Sequence, residues 1–131
     1  MNKNFTILAA AIFLFFSSCQ KSTTNPTAST RKIQFILYTN KDFSGNTDII
    51  DFSLHITNNG NKLILDSALA PMQIKDIPGP SKKLVFTKTV PDDGTIITAG
   101  FNYTIRNVGM SWYLDTLGAN TKSKVIEYSF Q

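Results

Sequence analysis

The stretch IIDFSLHITNNG, residues 49–60, decides how the rest of the chain is read. Ile50, Phe52, Leu54 and Ile56 alternate with Asp51, Ser53, His55 and Thr57. A period of two puts each set on its own face of a β-strand, one buried and one wet. Asn58-Asn59-Gly60 then offers residues that tolerate positive φ, which is a hairpin signal. The same alternation recurs on both sides. Ile33, Phe35 and Leu37 share a face in Arg31–Thr39. Downstream, Lys62–Ser67, a short Met72–Lys75, Lys83–Val90, Thr95–Arg106, Ser111–Thr116 and Lys124–Phe130 read as strands. Pro78-Gly79-Pro80, Pro91-Asp92-Asp93-Gly94 and Asn107-Val108-Gly109 punctuate them with turn residues.

Seven to eight short strands with one apolar face each, and no amphipathic helix among them, predict an all-β fold. The expected architecture is an antiparallel two-sheet sandwich, immunoglobulin-like or transthyretin-like, with a small barrel as competitor. The cysteine–tryptophan–cysteine spacing of true immunoglobulin domains is absent, because the chain has a single cysteine. About 100 residues bury enough surface to fold alone.

The chain is 131 residues long with a formal charge of +4, and its lysines and arginines are scattered. A nucleic-acid surface calls for a concentrated basic stripe instead, so nucleic acid is not an expected partner. One cysteine and one histidine exclude an intramolecular disulfide, a cysteine-based zinc cluster and a two-histidine site.

The N-terminus is of another kind. Lys3 precedes an apolar run, Phe5 to Phe16. As a helix that run rises about 18 Å, against roughly 30 Å of bilayer hydrocarbon. A basic start, a short apolar middle and then small residues is the layout of a secretory signal helix. Residues 20–30, QKSTTNPTAST, hold no large apolar side chain and read as a flexible tether about 15–20 Å in reach. The expected organisation is therefore a signal peptide over 1–18, Cys19 and a tether over 19–30, and one β-domain over 31–131.

Phe16-Ser17-Ser18-Cys19 resembles the lipobox of bacterial lipoproteins, with Phe16 where that family usually has Leu. Taken whole, the chain resembles small bacterial lipoproteins that carry a single all-β domain. The resemblance implies a diacylglycerol thioether on the Cys19 sulfur, cleavage before Cys19 and a membrane anchor made of fatty (palmitate-type) chains. Several such chains hold a protein on a membrane where one binds only marginally. Gln20 is not the Asp that retains lipoproteins in the inner membrane, and no acidic run for surface export follows it. The implied location is the cell envelope, at the outer membrane facing the periplasm, with the cell surface as the alternative. The resemblance carries no catalytic residue.

Few residues offer chemistry. His55 lies on the polar face of its strand, and Asp51, two same-face steps earlier, reaches it only with help from a neighbouring strand. Asp42, Ser44, Asn46 and Asp48 alternate along one loop, an oxygen set that suits calcium. The EF-hand loop needs Gly at its sixth place and Glu at its twelfth, whereas Gly45 is fourth, and a polar turn explains the same residues. Asp92 and Asp93 belong to a turn signal. Trp112 and Tyr113 are a candidate aromatic platform for a sugar or peptide, although neighbours in a strand face opposite ways. Ser67 and Thr116 sit in Asp-Ser-Ala and Asp-Thr-Leu triplets that resemble a bacterial O-glycosylation motif. The expected function is a non-enzymatic binding or structural module without a cofactor, partnered by the membrane through its lipid and by an envelope protein, peptide or glycan. A calcium-dependent adhesion module and a carboxylate hydrolase are the alternatives.

Overall fold

The computed structural model describes residues 28–131. The expectations for the signal segment, Cys19 and most of the tether lie outside the described residues. The described chain is all-β: β1 Thr30–Thr39, β2 Ile49–Asn58, β3 Leu63–Ala68, β4 Met72–Gln73, β5 Leu84–Pro91, β6 Ile97–Ile105, β7 Gly109–Leu117 and β8 Ser123–Phe130. Two 3-10 turns, Ile74–Asp76 and Pro80–Lys82, lie between β4 and β5. The second half of the predicted Met72–Lys75 strand is therefore a helical turn.

The strands form two sheets. One has the order β5-β1-β8 and the other β3-β2-β6-β7, with β4 also paired to β2. β3 and β4 run one after the other along the same side of β2, interrupted at Leu69-Ala70-Pro71. Pro71 has no N–H to give a ladder, so the edge breaks there. The alternating residues do what their period dictates. Ile33, Phe35 and Leu37 of β1 and Ile50, Phe52, Leu54 and Ile56 of β2 are buried, and they face each other across one core. Aromatic rings join the layers edge to face: Phe35 meets Phe101 at 5.7 Å, and Phe52 meets Phe130 at 6.1 Å.

One ladder corrects the expected antiparallel pattern. β8 runs parallel to β1, Lys32 opposite Ser123 through Thr39 opposite Phe130. Only a hairpin forces neighbours to be antiparallel. β8 reaches β1 by crossing over from β7 in the other sheet, so no hairpin joins the pair. Pro91-Asp92-Asp93-Gly94 is likewise a turn but not a hairpin. It carries the chain from β5 in the smaller sheet to β6 in the larger one.

That corner holds the start of the domain. Arg31 is fully buried, unlike the solvated lysines around it. Its Nε donates to Asp92 at 2.6 Å and its Nη1 donates to the Thr95 carbonyl at 2.6 Å. Lys122 and the Ser29 hydroxyl also donate to Asp92. Lys122, then Arg31, hold the Asp92 carboxyl well below the usual carboxylate range.

Candidate functional site

β7 is an edge strand of the larger sheet, and among the described residues nothing packs over its outer face. Six consecutive residues of β7, Gly109 to Leu114, are exposed. Register places Met110 beside Thr104, Trp112 beside Asn102 and Leu114 beside Gly100 on the outer face. The next strand continues these rows with Asp51, Ser53 and His55. The outer face is thus polar over β2 and β6 and apolar along its β7 margin. Met110 is 69 % exposed, Trp112 63 % and Leu114 40 %.

Gly100 shapes that margin. A Cβ there would overlap the Tyr113 carbonyl oxygen and come within 2.8 Å of the Leu114 Cα. Only glycine lets β7 coil so closely over β6. Beside this coil, Asp51, Ser53, Asp66, Asn102, Thr104 and Met110 line an open depression of about 290 Å³. Arg106 bridges to both oxygens of Asp51 at 3.0 and 3.1 Å. Asp51 is therefore engaged away from His55, and the carboxylate nearest His55 is Asp66, with Oδ2 3.9 Å from Nδ1. Sequence reading missed Asp66 because it comes from the neighbouring strand, opposite His55 in the β2–β3 ladder.

Trp112 and Tyr113 do not share a face. Tyr113 turns inward and stacks on Tyr128 of β8, with centroids 4.7 Å apart and planes at 15°. Tyr128 donates to the Tyr103 hydroxyl at 3.2 Å. Burial first, then this hydrogen bond, pushes the Tyr128 phenol well above its usual range. These rings line the inner side of the β7 margin and leave Trp112 as the aromatic ring of its outer row.

Lys124 closes the far end. It pairs with Asp115 at 2.7 Å and donates to the Thr116 carbonyl at 2.7 Å, which holds the Asp115 carboxyl below its usual range. The Thr116 carbonyl therefore points away from β6. Backbone groups alternate along a strand, so those of Met110, Trp112 and Leu114 point to the same free side. Each of these residues offers both an apolar side chain and backbone polar groups that pair with no other strand among the described residues.

The other candidate residues lie apart from this margin or at its end. In the Asp42–Asp48 loop, the Asp42 and Asn46 side chains accept the backbone N–H groups of Ser44 and Asp48, both at 2.9 Å. Phe43 pins the loop by packing on Phe130 at 5.4 Å. Among the described residues, no group of three His, Cys, Asp or Glu side chains is arranged to hold a metal ion. Asp93 accepts from the Thr95 hydroxyl and backbone. Ser67 is half-buried and accepts from Lys88 at 3.2 Å, whereas Thr116 is exposed.

No family model matches the chain, and no curated protein or solved structure gives a significant match to it. The geometry of β7 therefore carries the functional reading.

Proposed function

We propose that this chain is a non-enzymatic, protein-binding module of the bacterial envelope, anchored through lipid on Cys19. The observation that carries the binding role is the β7 margin, where Met110, Trp112 and Leu114 are exposed together beside backbone that no strand among the described residues pairs with. Exposed apolar rows and open sheet edges are the surfaces on which strands of other proteins dock. A protein strand suits this edge better than a sugar, because Trp112 and Tyr113 lie on opposite faces and form no two-ring platform. The best-buried carboxylate, Asp92, is occupied by Arg31 and Lys122 in holding the fold, which favours a structural use of the acidic residues over hydrolysis. Strand order supports the transthyretin-like type of sandwich. An immunoglobulin domain keeps its first two strands in one sheet, and here β1 and β2 lie in different sheets.

The anchor and the edge are tested separately. Cys19→Ser is expected to abolish incorporation of labelled palmitate and to release the chain from membranes; a processed form still held there would overturn the anchor. A photocrosslinking amino acid at Ser111 is expected to capture a protein in intact cells, and Trp112→Ala to reduce that capture at least tenfold. Undiminished capture would overturn the binding edge.

A further inference from the structure

Resting on this reading of β7, we propose that its partner is a second copy of the same chain. The two β7 strands pair antiparallel about a two-fold axis through Trp112.

The other edges of the two sheets carry devices that discourage such pairing. The β5 edge is flanked by Lys83 and Pro91 and turns Lys88 inward. The edge made by β3 and β4 is broken at Pro71. The β8 edge carries Lys124 and Glu127. On β7, Lys124 guards only the end at Thr116. Gly109 to Leu114 holds no charge and no proline. Two copies of a chain whose net charge is +4 thus meet here without like charges facing each other.

Register selects the axis. With the two-fold at Trp112, Met110 faces Leu114 of the second copy and Trp112 faces its own equivalent. Every outer-face pair is then apolar, the pairing that stabilises neighbouring strands. The Lys124 contact to Thr116 stays intact. With the axis at Tyr113, Met110 would instead face Thr116, whose carbonyl is already occupied. Side chain by side chain, the surface is complementary to itself, as a two-fold interface requires.

Three partly exposed side chains fall well short of the roughly 800 Å² per partner in a standard stable interface. The dimer is therefore a reversible one, populated where copies are concentrated, as on a shared membrane.

The test is disulfide trapping in intact cells producing the full chain. Ser111 and Tyr113 of opposite copies form a non-hydrogen-bonded pair with Cα atoms about 4.5 Å apart, within disulfide reach. Cells producing both Ser111→Cys and Tyr113→Cys chains are expected to yield a linked dimer under mild oxidation, and cells producing either chain alone are not. Met110→Cys with Leu114→Cys provides a second pair that spares the Tyr113 stack. Trp112→Lys added to either pair is expected to lower linkage at least tenfold. Absence of linkage in both pairs overturns the second copy. If the photocrosslinker at Ser111 then still captures another protein and Trp112→Lys abolishes that capture, the binding edge stands with a different partner. If Trp112→Lys changes neither readout, the edge itself is wrong.

Discussion

Arg31 and Asp92 show how a single buried pair fixes the point where the domain begins. Arg31 reaches the carboxylate of the β5–β6 corner and, through Nη1, the carbonyl just beyond it. The pair has a consequence for pH. The Asp92 carboxyl lies below its ordinary value in the folded chain, so the unfolded chain takes up the proton first as pH falls. Its contribution is complete above about pH 4, the unfolded aspartate value, and drains away as pH falls further. Thermal unfolding followed from pH 6 down to 2.5 is expected to show a falling midpoint. Asp92→Asn should lower the midpoint at pH 6 and make that fall shallower; an unchanged slope would mean that other carboxylates carry it. Phe52 is the opposite kind of residue, held by packing alone. It is 2 % exposed and contacts the rings of Phe101, Tyr103 and Phe130. Phe52→Ala is expected to cost about 3–5 kcal/mol in urea unfolding, and a loss below about 1 kcal/mol would contradict its place in the core.

At the scale of the element, β7 depends on what its neighbour lacks. Gly100 has no Cβ, so the β7 backbone at Tyr113 and Leu114 settles onto β6. Gly100→Ala is expected to cost about 1–3 kcal/mol by overpacking. Amide exchange should quicken in β7 before it changes in β2, whereas uniform quickening would mean that the contact matters only to global stability. The strands themselves were legible because apolar alternation is local. IIDFSLHITNNG specifies its buried face and its hairpin without reference to any other part of the chain. What alternation cannot specify is the partner. Ile126 and Phe130 point inward whether β8 runs parallel or antiparallel to β1, so the parallel ladder left no mark in the sequence. The site was half legible for the same reason. Alternation already put Trp112 and Tyr113 on opposite faces, but which of the two turns outward depends on the Tyr128 ring that Tyr113 stacks against. The apolar row of Met110, Trp112 and Leu114 was written in the alternation of β7. It could not be told from a core face until Tyr113 and Leu117 were seen to take the inner side of β7. Arg31 and Asp66 find their partners across 61 and 11 residues of chain, distances over which spacing says nothing.

Across the whole molecule, the pairing of β1 with β8 makes the first strand depend on the last. β1 is the middle strand of its sheet, and it supplies Ile33, Phe35 and Leu37 to the core. Without β8 it would lose one of its two ladders, and Ile126 and Phe130 would be missing from opposite Phe35 and Thr39. Lys122 also sits in the lead-in to β8 and secures Asp92 beside Arg31. Removing this end therefore opens the core and the corner at once. Because long-range pairing must be completed before it is rewarded, a chain built this way folds as one unit and in milliseconds to seconds. A chain cut after Thr121 is expected to show no cooperative thermal transition. The missing ladder is a single extended segment, so a synthetic peptide of residues 122–131 added in trans should restore the transition in a concentration-dependent way, read by near-ultraviolet circular dichroism of the Tyr103, Tyr113 and Tyr128 cluster. A truncated chain that melts cooperatively without the peptide would show that the five-stranded sheet is stable by itself, and that β8 is an accessory to the fold.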